Sequence, residues 1–540
     1  MNETERKAAE AEGVTLATAR RDAMKTLIRR DPERALDRAI SETARGELPA
    51  SVTELLETRV DGKGTLHATA TGAPVSERPA GSPVVFHTAV FDDGRELNAY
   101  VYGRRAFQPS RKDIPMHGIA IGNSMALSEW PGRLLEPAEM DQAKATLAAD
   151  PVCSTSSLPT ASLGDETAVQ TGKTVSFYCG KEHAADRLNS LASSENQLPP
   201  GLGFRSQPPV TAASGATGQT VPSFASSGDG DWTTGNKNIG IVRVTFNGTS
   251  YQSFSVGQCT DIISGIDQAY NDWSYGRLNI RGIGSSGSFV TTVLDLPHSA
   301  SYYDANKDDG QDDDSVSTIW EIARSWALAN GRAPWTYDYL IVLSGDAPIR
   351  DDQGDVVWWG GLGRVGEGLS FLRSTTVDSA IRVGLHEVGH NLGLAHSSNL
   401  YTTPQLINTF IGIPIYEYFS EYGDRYCRMG RGAEDFNARY KHWLRWLDDS
   451  NFPLAISDGR YTIREHDLEE KGGVRGLQVP FNAGLAVLGL DSSLTVEYRL
   501  TDPTNPLLAK GAQIHLMDAS SPKVYLLDGT PETPNHEPDG

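Results

Sequence analysis

Apolar and charged residues alternate at helical spacing from residue 15 to residue 57, and the steps Asp31-Pro32 and Leu48-Pro49 mark places where one helix stops and another can start. From about Val60 to Ser128 the period shortens. PVVFHTAVF, ELNAYVYG and GIAIGNSMAL read as strands divided by Gly, Asp and Pro clusters, which predicts a small β-domain. Between Pro199 and Asn236 the chain turns to Pro, Gly, Ser and Thr, a composition that buries too little apolar surface to fold and predicts a linker. Beyond it IGIVRVTF and YDYLIVLSG read as buried strands, and TDIISGIDQAYNDWS and STIWEIARSWALANG as helices. Strands alternating with helices predict an α/β sandwich. After about Asp449 short β-runs return (RYTIREH, LQVPF, LTVEYRL, QIHLMD, KVYLLD), which predicts a β-rich C-terminal domain. The expected division is a helical segment 1–59, a β-rich region 60–202, a linker 203–236, a catalytic domain 237–450 and a β-rich domain 451–540.

Length and charge narrow the classes of function. A chain of 540 residues exceeds one hydrophobic core, so a multidomain α+β protein is expected. Lys and Arg total 48 against 69 Asp and Glu, and the net charge of -21 repels phosphate backbones and anionic lipid, so nucleic acid is not an expected partner. No apolar run approaches the roughly eighteen residues of a membrane span. The start, MNETERKAAEAEG, has no apolar core of a secretory signal. Four cysteines (Cys153, Cys179, Cys259, Cys427) form no CxxC pair, which favours two disulfides over a cysteine zinc site and an exported protein; a monomer is expected.

The chemistry sits in HEVGHNLGLAH, residues 386–396. His386 and His390 are four apart, so on a helix they lie about 40° apart around the axis, one turn above the other, and both imidazoles reach one ion. Ile381, Leu385, Val388 and Leu392 form the opposite stripe, which would seat the helix in a core. Gly393 permits the left-handed turn that brings His396 back as a third ligand. Three protein ligands leave a fourth zinc position for water, and Glu387 stands where a general base is needed.

HExxHxxGxxH followed by a methionine turn resembles the metzincins, zinc endopeptidases whose methionine forms a floor beneath the metal; the matching residue here is Met429, in YGDRYCRMG. HEVGHNLGLAHS, EYGDRYCRMG, FNARYKHWLRWL and WSYGRLNIRG together look like the gametolysin family, over roughly residues 237–450. The resemblance implies a metzincin-type α/β catalytic domain with a zinc-binding helix, preceded by a helical and small-β pro-like region and followed by a β-rich domain. It also implies cleavage of extracellular-matrix or cell-wall proteins and glycoproteins. One departure is that Arg431 stands two residues after Met429, where astacins and serralysins carry a zinc-binding tyrosine; Tyr422 and Tyr426 precede the turn instead.

Weaker signals remain open. Asp304, Asn306, Asp308 and Asp312 to Asp314 offer the oxygens of a calcium loop or of a solvated acidic loop. Trp358 to Leu362 would be a substrate rim or a Trp-rich piece of core. Placement in the front and catalytic parts pairs Cys153 with Cys179 and Cys259 with Cys427; a Cys179 thiolate on the zinc of a latent precursor is the alternative. The linker is the expected site of maturation by proteolysis. A non-catalytic adhesion protein on the zinc scaffold is the rival function, against which the presence of Glu387 argues.

Overall fold

A computed structural model of the chain describes residues 3–72, 85–196, 232–400 and 419–527, less 107, 148, 161–165, 248–252, 285–286, 304–315, 346–359, 433–434, 456, 466–471, 481–491, 500–510 and 519–522. The calcium-loop residues Asp304, Asn306, Asp308 and Asp312, the rim residues Trp358 and Trp359 and the linker up to residue 231 lie outside the described residues. The chain divides into two compact units, Met1–Ala68 with Val85–Pro199, and Thr69–Val84 with Pro200–Gly540.

The first unit opens with α1 (Glu3–Arg30), α2 (Pro32–Asp37), α3 (Glu42–Gly46) and α4 (Ala50–Thr53). Both proline steps act as the sequence implies: Asp31 caps α2 by accepting from the Arg34 N–H at 3.1 Å, and Pro49 precedes α4. Met24 and Ile28, one turn apart on α1, pack with Ala35 against Ile119, Ile121 and Ala126 of the sheet that follows. That sheet comprises β1 (Thr58–Gly72), β2 (Val85–Phe91), β3 (Glu96–Tyr100), β4 (Arg111–Ile121) and β5 (Ser124–Leu127). Val60, Leu66, Ala89, Phe91, Met116, Met125 and Leu127 form its own core, in which each large apolar side chain contributes about 1.5–3 kcal/mol. Next come β6 (Arg133–Leu134), α5 (Pro137–Ala145), β7 (Thr167–Thr171) and β8 (Thr174–Tyr178), with β6-β7-β8 a separate small sheet, and then α6 (Lys181–Asn196).

The second unit contains β9 (Gly235–Phe246), α7 (Val256–Trp273), β10 (Leu278–Arg281), β11 (Phe289–Val290), β12 (Leu294–Leu296), α8 (Val316–Ala329), β13 (Tyr339–Ser344), β14 (Gly361–Arg364), β15 (Leu369–Arg373) and α9 (Val377–Asn391). The strands run in the order β10-β9-β13-β15-β14, parallel except for β14, which is antiparallel to β15. Alternation along β9 and β13 feeds two cores. Ile239, Ile241, Tyr339 and Ile341 pack with α7 and α9, while Val242, Val244, Leu340 and Val342 pack with Ile319, Trp320 and Ala323 of α8. This is the expected α/β sandwich.

After α9 come β16 (Ser397–Leu400), β17 (Phe419–Ser420), α10 (Ala438–Trp443), β18 (Gly476–Pro480), β19 (Ser492–Arg499), β20 (Gly511–Asp518) and β21 (Val524–Leu527). The C-terminal strands do not make a sheet of their own. β16, directly after His396, pairs in parallel with β21, so one sheet in the order β17-β16-β21-β20-β19-β18 runs across the break expected at residue 450. Residues 460–465 of RYTIREH form no strand: Tyr461 is exposed and the alternation finds no face to bury.

Candidate metal centre

Thr376 starts α9 by accepting from the Ser379 N–H at 3.2 Å. Leu385, Val388 and Leu392 then lie in the core, with Ile381 packed against it, as the stripe implied. Two polar fastenings hold the helix in place. The Tyr270 hydroxyl on α7 donates to the Leu385 carbonyl at 2.7 Å, and Asn391 accepts from Ser370 at 2.8 Å while donating to the Arg364 and Leu369 carbonyls. Gly393, at φ +100°, ends the helix and reverses the chain toward His396.

The three histidines converge. The Nε2 of His390 lies 3.2 Å from that of His386 and 3.0 Å from that of His396. Each opposite nitrogen is pinned: His390 Nδ1 to the Leu394 carbonyl at 2.8 Å, His386 Nδ1 to the Arg428 carbonyl at 2.9 Å and His396 Nδ1 to Glu421 at 3.0 Å. Acceptors on every Nδ1 place the protons there and leave three Nε2 lone pairs aimed at one point. Burial keeps all three rings neutral, pushing His386 down to about 3, with the His396 ring adding to the effect, and lowering His390 and His396 too. Three facing lone pairs repel one another unless a cation lies between them. A tetrahedral metal with bonds of about 2.0–2.1 Å needs nitrogens about 3.3 Å apart, close to what is seen.

Glu387 is fully buried, and neither carboxylate oxygen has a hydrogen-bond partner among the described residues. Desolvation raises its pKa well above the usual 4.5. Gly361 and Gly363 let β14 pass directly over it: a Cβ on Gly361 would fall 2.5 Å from Glu387 Oε1, and one on Gly363 2.8 Å from Oε2. Of the expected rim, Gly361 therefore lies against Glu387 of α9, while Leu362 points to the opposite face of the sheet, into the core that α8 packs against.

Met429 is completely buried beneath α9, where any Cβ on Gly389 would overlap its sulfur. Tyr422 presents its ring to two of the histidines, stacked 5.7 Å from His386 and tilted 3.9 Å from His396. Tyr426 packs against Leu526. Arg431 ties its backbone N–H to the Asp424 carbonyl at 2.7 Å.

Sequence reasoning passed over the residues that hold this arrangement. Glu421 orients His396. Asp424, fully buried, accepts from Ser397 at 2.6 Å, from the Tyr426 N–H at 2.8 Å and from His515 of β20 at 3.1 Å. Arg499 of β19 donates to the Phe436 carbonyl at 2.7 Å and to the Tyr426 carbonyl, and Glu497 accepts from the Ala438 N–H at 2.6 Å. The C-terminal strands thus brace the methionine turn. The EYGD tetrad was a visible signal for Glu421 and Asp424; His515 and Arg499 carried none.

The four cysteines are free and buried, so neither expected pair is joined. Cys259 and Cys427 share the core with α7 and α9, where burial pushes both thiols up, Cys259 to about 11. Cys153 and Cys179 lie together with His183 in the first unit.

Residues 243–405 match the family model described as Peptidase M66. The matched stretch includes all three histidines and Glu387, and supports a zinc-dependent peptidase at this centre. No curated protein matches the chain. Among solved structures, the crystal structure of wild-type OgpA from Akkermansia muciniphila is similar at 12% identity, covering 53% of this chain and 84% of that one. Its TM-score of 0.23 is too low to carry an argument.

Proposed function

We propose that this chain is a zinc-dependent endopeptidase of the metzincin type, resembling gametolysin, with His386, His390 and His396 as ligands and Glu387 as general base. The observation that carries the reading is the pinning of three Nδ1 atoms outward, beside a buried carboxylate with no hydrogen-bond partner among the described residues. Bound zinc would supply Lewis acidity to a peptide carbonyl and to water. Glu387 takes the proton of the attacking water at its carboxylate and delivers it to the departing amine. The pinned imidazoles keep their Nε2 atoms in place, and the Tyr422 ring packs against those of His386 and His396.

An adhesion protein on the same scaffold is the weaker reading. A buried carboxylate without a partner costs several kcal/mol, and a scaffold gains nothing from it. Secretion, a latent precursor matured by proteolysis within residues 200–236, monomeric state, protein or glycoprotein substrates and a calcium ion at Asp304, Asn306, Asp308 and Asp312 complete the proposal; they rest on the resemblance and on composition. No described helix is long and apolar enough to cross a membrane.

The test is digestion of a peptide library by the protein as purified, stripped by a chelator and reloaded with Zn2+. Internal cuts that vanish on stripping and return on reloading are expected. Absence of any cut in the reloaded, zinc-replete protein overturns the reading.

A further inference from the structure

The last residues of β1 belong to the unit that carries the metal centre. Thr69, Ala70, Thr71 and Gly72 pair antiparallel with Arg364, Gly363, Leu362 and Gly361 of β14, and the Gly360 N–H donates to the Gly72 carbonyl at 3.1 Å. We propose that Thr69–Gly72 occupies the groove that a substrate peptide takes, with Thr71 at the histidines and Gly72 over the general base. This rests on the peptidase reading and deepens it.

The contacts are those of a seated peptide. Thr71 is fully buried, its hydroxyl lies 3.4 Å from that of Tyr422, and its backbone is a hydrogen-bond partner of the His396 ring. A Cβ on Gly72 would overlap Glu387 Oε1 and fall 3.2 Å from His386 Cδ2. Gly72 and, from the facing strand, Gly361 and Gly363 together strip away the side chains that would keep a backbone off the carboxylate. The pairing is strand addition to a sheet edge, in which main-chain hydrogen bonds give affinity and side-chain room gives selectivity. The ligand class follows: an extended peptide with glycine at the position that meets Glu387. A tethered occupant competes at high effective concentration, so it raises the apparent KM by the reciprocal of the vacant fraction and leaves kcat unchanged.

Gly72→Leu, and the milder Gly72→Ala, should lower KM by about tenfold or more at constant kcat, as expected for release of an occupant filled about nine-tenths of the time. Hydrogen exchange at the β14 amides that face β1 should quicken in both variants while exchange in α9 stays slow. Unchanged KM together with unchanged β14 exchange overturns the proposal. If neither wild type nor variants cut any peptide, the peptidase reading fails, and the exchange measurement alone decides whether the strand was displaced.

A second, independent cluster lies in the first unit. Cys179 follows β8, and His183 stands in the first turn of α6. His183 Nδ1 is 3.4 Å from Cys179 Sγ and 3.5 Å from Cys153 Sγ. The geometry points to a thiolate–imidazole site for zinc, held by Cys153, Cys179 and His183. Metal–sulfur bonds of about 2.3 Å and metal–nitrogen bonds of about 2.0–2.1 Å in a tetrahedron set sulfur and nitrogen about 3.6 Å apart, near both distances. Both cysteines are buried, and the Ser156 hydroxyl lies 3.4 Å from Cys179 Sγ.

Purified, reduced protein loaded with Zn2+ should hold two equivalents, and Cys153→Ser/Cys179→Ser one. Loading with Co2+ should give thiolate-to-cobalt charge-transfer absorption in wild type that the double variant lacks. A single equivalent in reduced wild type without that absorption overturns the site, as does a Cys153–Cys179 disulfide in the protein as isolated.

Discussion

The ligand helix and the methionine turn meet at the same three histidines, yet they are built in opposite ways. α9 brings His386, His390 and Glu387 from one continuous stretch, and helical geometry alone sets their spacing. The turn brings one carbonyl, from Arg428, and the floor, Met429, and its own Asp424 is held by His515, while Arg499 holds the Tyr426 carbonyl, both of these drawn from well beyond it in sequence. The first region is a local solution and the second a tertiary one. Damage to the helix should therefore remove the metal, whereas damage to the turn should loosen the fold around a metal that still binds.

The largest effect expected from this contrast is at His390. His390→Ala leaves two imidazoles, so zinc content by mass analysis should fall by one equivalent from the wild-type value and hydrolysis should be lost, while the sheet cores keep the fold. A zinc content equal to that of wild type would break the assignment of His390 as a ligand.

His515→Gln should act on stability. Removing one partner of a buried charged pair costs about 3–5 kcal/mol. The Asp424 carboxylate, by hydrogen bond and charge, outweighs burial and raises the pKa of His515 above its usual 6.5, so the imidazolium's contribution is complete below that value and fades as pH rises through the raised one. Burial opposes ionisation of Asp424, but bonds from His515 and Ser397 hold its carboxyl below 3.8, so its share is lost only in acid. Urea melts should show the wild-type advantage over His515→Gln near pH 5.5 and a smaller gap near pH 9. An equal gap at both would contradict the charged pair.

The smallest effect is at the start of α9. Thr376→Ala removes one cap, costing about 1 kcal/mol in melts with zinc content unchanged.

The contrast also explains what the sequence disclosed. His386, Glu387, His390 and His396 follow from a spacing, and the sandwich strands from alternation that feeds two cores, so both were legible. Met429 needed the family resemblance, since nothing in YGDRYCRMG says what lies above it. His515 sits in QIHLMD as an ordinary inward strand position; only the register of β20 with its neighbours brings it to Asp424. Thr69–Gly72 was hidden for the same reason: TATG reads as the end of a strand, and strand pairing across nearly 300 residues leaves no local trace. The cysteines were read by region as disulfides, whereas the structure adds His183 to Cys153 and Cys179, a neighbour the cysteine count could not supply.

The central claim, that Glu387 is the base beside a zinc held by three histidines, is tested most directly by measuring zinc content and peptide turnover together in Glu387→Ala. The account predicts one catalytic zinc retained, an unchanged fold and a kcat lower by about two orders of magnitude or more, the scale of a general-base contribution. Near-normal turnover in a zinc-loaded Glu387→Ala protein would contradict it.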